Sequence, residues 1–167
     1  MSRRSRRCSS VPVYNHYYPD GNNQINTPAS AGRLVTGGPT IPVAVFLVKE
    51  HVDQLTRENK PLPAAVTGLA LIDTGATLCM IDESALQSLG IPPSGIENVI
   101  GATGRGNQPT YPASLTFPGT PIPPIAFTNF IGSPLKAAGI VALLGRNVLR
   151  HFVMVYNGPG GFVSLSF

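Results

Sequence analysis

The stretch LALIDTGATLCMID, residues 69–82, places one aspartate, Asp73, between an apolar run and a Thr-Gly-Ala turn. A lone carboxylate in such surroundings is disfavoured by several kcal/mol unless a partner pairs with it or it takes a proton. The nearest basic residues in sequence are Lys60 and Arg105, so no local cation compensates it. An acid that activates water needs such a setting, held rigidly and kept partly dry. A strand ending at Asp73 fixes its backbone, Gly75 admits the close approach of other main chain, and Thr74 supplies a hydroxyl to tie the turn. The same tetrapeptide also suits an ordinary β-turn with a capped aspartate, because Asp and Gly are common turn residues.

A second motif, ALLGRNVL at 142–149, places Gly145 72 residues beyond Asp73. ALIDTGA and VALLGRN each read as a short apolar strand running into a Gly turn and then a short helix, the pattern of a β domain with two related halves. In this order and at this distance, ALIDTGAT and ALLGRNVL resemble the retropepsins, the single-domain aspartic proteases of retroviruses, and their bacterial retropepsin-like relatives. The resemblance spans residues 39–167. It implies a mainly β fold, a closed acid-protease barrel with one or two short helices, assembled as a two-fold homodimer. It implies a psi-shaped loop carrying Asp73 as the catalytic acid, with ALLG as the strand passing through that loop. Thr74 would join its dimer mate in a hydroxyl grip, and Gly75 would offer backbone to the substrate. Gly145, Arg146 and Asn147 match the family's structural Gly-Arg-Asn segment. Viral members carry an acid directly after the Ala, paired with that Arg. Here the position is Thr77, so the ion pair is absent or replaced.

Aspartic proteolysis needs two carboxylates on one water, one as base and one protonated against the scissile carbonyl. The chain holds four aspartates, Asp20, Asp53, Asp73 and Asp82, and only Asp73 is followed by Thr-Gly. The second acid is therefore expected from a second copy of the chain, with the site on a two-fold axis. The terminal stretch GFVSLSF, 161–167, alternates apolar and polar residues and is expected to be a free edge that joins the dimer sheet. Gly101, Ala102, Thr103 and Gly104, in VIGATGRGNQPTYP, are expected to form the tip of a flap closing over an extended peptide. Leu71, Ile140, Val141 and Leu143 are candidates for apolar substrate pockets, and equally for plain core. The alternative to an aspartic endopeptidase is a non-catalytic dimerisation or binding module that keeps the same fold.

Other chemistries fit less well. The Gly-Ala-Thr-Gly-Arg stretch is unsuited to a phosphate loop, because Asn107, Pro109 and Pro112 block the helix that such a loop must open. His16, His51 and His151 lack ligand spacing, so neither a metal nor another cofactor is expected. Cys79 reads as a small core residue.

The elements that must position Asp73 are strands. Charged residues make up 12% of the chain, about half the usual ~25%, and hydrophobic residues 43%; 18 Gly and 17 Pro favour short strands and many turns. Strands are expected at 39–48, 64–73 and 139–145, a polar connection with one helical turn at 49–63, and a hairpin closing across 157–161. Asp82 to Leu89 reads as a short helix with Asp82 as N-cap and Gly90 just past its end. Residues 1–38 lack periodicity and read as a basic, disordered tail. Arg3, Arg4, Arg6 and Arg7 carry the excess of +4, leaving the remainder neutral, which disfavours nucleic acid as a partner. Two cysteines, Cys8 and Cys79, make no disulfide framework and favour a reducing, cytoplasmic setting; neither a secretory signal nor a membrane span is expected.

Overall fold

The β-branched and apolar runs around Val43, Val66 and Ile131 become strands because their alternate side chains share one interior, and the Gly- and Pro-rich text between them turns the chain. The computed structural model describes residues 11–101 and 104–167. Strands in chain order are β1 (Val13–Tyr17), β2 (Thr40–Phe46), β3 (Val66–Ile72), β4 (Met80–Asp82), β5 (Gly95–Gly101), β6 (Gly104–Thr116), β7 (Ile125–Ser133), β8 (Ala142–Leu144), β9 (Val153–Asn157) and β10 (Phe162–Ser166). Four short α-helices intervene among the described residues, α1 (Pro28–Gly37), α2 (Lys49–Arg57), α3 (Glu83–Ser88) and α4 (Arg146–Leu149), with one 3-10 turn at Lys136–Ala138. The protein is mainly β, with more helix than the one or two short pieces expected.

Seven strands form one mixed sheet in the order β2-β3-β8-β4-β7-β6-β5. β2 also meets β6, through the pairs Ala44–Thr116, Val45–Leu115 and Phe46–Ser114. The fully closed barrel expected from the resemblance is not met: this contact is brief, and β5 lies outside it as one arm of a long hairpin with β6. The interior of the sheet is apolar, with Val45, Ile81, Leu86, Leu115, Phe130 and Leu144 all buried. Phe127 and Phe130 meet edge to face at 5.6 Å.

Two expectations about the chain ends are corrected. Residues 11–38, read as part of a disordered tail, carry β1 and α1; Arg3, Arg4, Arg6, Arg7 and Cys8 lie outside the described residues. Thr27 caps α1, accepting the Ser30 amide at 3.1 Å, and Pro28 opens the helix where its missing N–H is no loss. Leu34 then drives α1 into the core with no exposed surface. The second correction concerns β10. It is not a free edge: it is the centre of a three-stranded antiparallel sheet, β1-β10-β9. β1 takes the side that the sequence left open, pairing Val13 with Ser166 through Tyr17 with Phe162. The β9–β10 hairpin forms as read.

α3 also forms as read. Asp82 Oδ1 accepts the Ser84 amide at 3.0 Å, and Gly90 adopts φ +65° just beyond the helix. At 49–63 the expected single turn is instead the nine-residue α2.

Candidate active site

Asp73 ends β3, where the main chain is locked on both sides. β3 runs parallel to β8, pairing Ala70 with Ala142, Leu71 with Leu143 and Ile72 with Leu144. Beyond the last pair, the Asp73 amide donates to the Leu144 carbonyl at 3.0 Å. The chain then turns back as β4, which pairs antiparallel with the opposite side of β8, Met80 with Leu143 and Ile81 with Ala142. β8 therefore lies between the two legs of the loop that carries Asp73. This is the psi-shaped arrangement, and it joins two segments some seventy residues apart in sequence.

The turn is tied from within and from below. The Gly75 amide donates to Asp73 Oδ1 at 2.7 Å, which orients the carboxylate. No basic group lies within ion-pairing distance of Asp73 among the described residues. The carboxylate is half-buried rather than sealed in the core, while Thr74 and Gly75 are exposed. Below, the first amides of α4 need acceptors. Arg146 donates its amide to the Ala76 carbonyl at 2.9 Å and Asn147 to the Thr77 carbonyl at 3.1 Å. The Gly145 amide reaches Cys79 Sγ at 3.2 Å, and that thiol donates to Asn147 Oδ1 at 3.1 Å. Burial pushes the Cys79 thiol up to about 11, so it stays protonated and serves as a donor. Gly145 is required by contact: a Cβ there would lie 2.6 Å from the main-chain carbon and oxygen of Leu78.

Arg146 completes the support with its side chain. Nη1 donates to the carbonyls of Thr74 at 2.8 Å and Gly75 at 2.9 Å, and Nη2 to Thr77 Oγ1 at 2.7 Å. A neutral hydroxyl thus occupies the place where the resemblance implied an acid. The Gly75 carbonyl is already engaged by Arg146, so this fork both holds the turn and uses part of the backbone expected to meet a substrate.

A cavity of about 280 Å³ opens beside the turn. Its floor is Gly75–Leu78, its wall Met80 and Ile131, and its roof the Glu97–Ile100 stretch of β5. β5 and β6 form a hairpin in register to the pair Gly101–Gly104, with Gly104 at φ +124°. The glycines expected at a flap tip thus terminate this hairpin; Ala102 and Thr103 lie outside the described residues. Leu71, Ile140, Val141 and Leu143 do not line the cavity. Leu143 and Ile140 are buried, Val141 lies against Gly68, and Leu71 against Gly38. Met80, Val99, Ile131 and Glu97 were not singled out from sequence. Only the flanking of Asp73 by Met80 and of the Gly-rich tip by Val99 could have pointed to them. A larger hollow of about 550 Å³ lies between α2 and the end of α3 and includes no residue of the Asp73 loop.

An aspartate on a Gly turn, threaded by a strand from late in the chain and faced by a hairpin, is a retropepsin-like arrangement. The chain belongs to the aspartyl protease family, whose sequence profile matches residues 64–148. Among solved structures it is similar to a retropepsin-like aspartic protease from Rickettsia conorii, with 15% identity and a TM-score of 0.45 over 95% of each chain. It is also similar to the simian foamy virus (mac) protease, with 16% identity and a TM-score of 0.39 over 65% of this chain and 91% of that one. No curated protein matches the sequence. No helix among the described residues is long and apolar enough to cross a membrane.

Proposed function

We propose that the protein is an aspartic endopeptidase that hydrolyses extended peptides with a water held between two Asp73 carboxylates, one from each subunit of a homodimer. The observation that carries this reading is the Asp73 loop itself, a carboxylate oriented by the Gly75 amide at 2.7 Å and left open to one side. One such acid is half of the required chemistry. Two carboxylates brought to about 3 Å cannot both ionise, so they share a proton and titrate as a pair. The ionised member takes a proton from water, and the protonated member polarises the scissile carbonyl and later protonates the departing nitrogen. Thr74, exposed beside Asp73, would meet its mate across the axis. The β5–β6 hairpin is the element that would cover the peptide. The subunit edges on offer are β1 and β9, because β10 is already paired on both sides; Val153 and Val155 of β9 are exposed.

The test is Asp73→Asn. The substitution keeps the Gly75 hydrogen bond and removes the charge. Cleavage of a peptide library should fall by at least about a thousandfold while sedimentation still reports a dimer. The unchanged protein should show a bell-shaped pH profile belonging to the pair. Cleavage that survives in Asp73→Asn, or a monomer that cleaves, would falsify the assignment. A dimer that never cleaves would support the binding-module alternative.

A further inference from the structure

Glu97 stands apart from every other carboxylate among the described residues. Asp53 pairs with Lys49 and Glu58 with Lys60. Asp20 accepts the amides of Asn22 and Gln24, and Asp82 those of Ser84 and Lys136. Glu50 and Glu83 sit in the first turns of α2 and α3, where negative charge complements the helix dipole. Asp73 holds the Gly75 amide. Among the described residues Glu97 has no ion pair and no side-chain hydrogen bond, and it stands at no helix end, yet it lines the cavity beside the Asp73 turn. Its partner across β6 is the neutral Gln108. The described residues therefore supply no structural role for this charge.

The surroundings say what would answer it. Leu78, Met80, Val99 and Ile131 give the cavity apolar walls, and among the described residues Glu97 is the only charged one lining it. The strand period puts Glu97 and Val99 on the same face of β5, with Val99 half-buried and Glu97 exposed. A slot with apolar walls, the neutral polar Thr77 and Asn98, and one exposed carboxylate in its lining matches a lysine or arginine side chain. The aliphatic stem lies along the walls and the cationic head stays at the rim. A volume of about 280 Å³ suits one long side chain rather than a length of peptide.

Resting on the protease reading, we propose that Glu97 is a specificity-determining residue, and that the cavity selects peptides carrying a basic side chain at the position seated beside the Asp73 turn.

The experiment uses the full chain and peptide sets in which Lys, norleucine or Glu is walked through the positions on both sides of the scissile bond. Norleucine keeps the stem and removes the charge. At one position, kcat/KM for Lys should exceed that for norleucine by about three- to tenfold, carried mainly by KM, as for a partly covered ion pair. Glu should be the poorest residue there. The Lys advantage should shrink as salt is raised. In Glu97→Gln the Lys-to-norleucine ratio should fall to about one, and in Glu97→Lys the peptide with Glu should become preferred. Each ratio is taken within one variant, so differences in folded fraction cancel. A protein that cleaves norleucine peptides but favours Lys nowhere overturns the proposal, as does a Lys preference unchanged in Glu97→Gln. Loss of all cleavage in the unchanged chain, or equal cleavage by Asp73→Asn, instead removes the protease reading beneath it.

Discussion

Arg146 Nη2 donates to Thr77 Oγ1 at 2.7 Å, joining the head of α4 to the turn that carries Asp73. The same guanidinium holds two carbonyls of that turn, so one side chain spans Thr74, Gly75 and Thr77. The charge that a viral-type acid would balance is met here by three neutral oxygens.

Thr77→Ala should cost about 0.5–1.5 kcal/mol, the loss of one hydrogen bond at an exposed position. Arg146→Lys should cost more, because an ammonium cannot reproduce a planar fork over three acceptors. Thr77→Asp should restore the pairing and at least recover the stability of the unchanged chain. Urea unfolding of the three variants checks the order.

Gly145→Ala should be among the most damaging small substitutions in the protein. The added methyl meets the main chain of Leu78, which α4 and β8 hold in place, so no flexible side-chain end can yield. A loss of about 3 kcal/mol is expected, and under the proposed protease function a marked fall in cleavage, because the turn above shifts. Thermal unfolding and peptide turnover measure both.

Asp82 predicts acid sensitivity away from the Asp73 turn. Burial raises the pKa of its carboxyl, but hydrogen bonds from Ser84 and from the Lys136 and Ala85 amides outweigh this and hold it below the ordinary value. A depressed folded-state value contributes stability above the unfolded pKa, near 3.9, and that contribution disappears as pH falls through the folded value. Asp82→Asn turns a donor toward the Lys136 amide and should cost about 2–3 kcal/mol at pH 7. The gap from the unchanged chain should narrow below about pH 4. Equal gaps at pH 7 and pH 3 in urea unfolding would contradict this.

Cys79 should resist thiol reagents in the folded protein. It has no exposed surface, and burial pushes the thiol up to about 11, so little thiolate forms at pH 8. Labelling of Cys79, followed by peptide mapping, should track global unfolding in urea. The raised value also means that its stabilising effect holds below about pH 9 and fades as pH climbs towards 11.

The span before residue 39 should be needed for folding. Removing residues 1–38 deletes β1, opens one side of β10 and empties the site of Leu34. The loss of a buried leucine alone is worth about 2–5 kcal/mol. A fragment of residues 39–167 with native circular dichroism and an unchanged melting temperature would refute the prediction.

Elements whose signals are contiguous were legible in the residue string. Asp82 and Gly90 bracket α3 because capping is decided within one turn of chain. The β9–β10 hairpin was readable because its turn residues are adjacent. α1 carried an equally local signature in Thr27-Pro28, but the polar text around it and the lack of apolar period hid it. Strand partners were less accessible. That β1 rather than a second subunit covers β10 depends on contacts between positions such as Tyr14 and Leu165, which no local pattern links.

The amino-acid sequence alone marked the candidate acid and its frame, because an aspartate before a Gly turn and a late Gly-Arg-Asn segment are written in consecutive residues. Only the tertiary structure decided what surrounds that aspartate: β8 between the legs of its loop, Arg146 on Thr77, and Glu97 over an apolar slot. Sheet registers bring together residues tens of positions apart, and the energy of such meetings belongs to the packed interior rather than to any one stretch of chain.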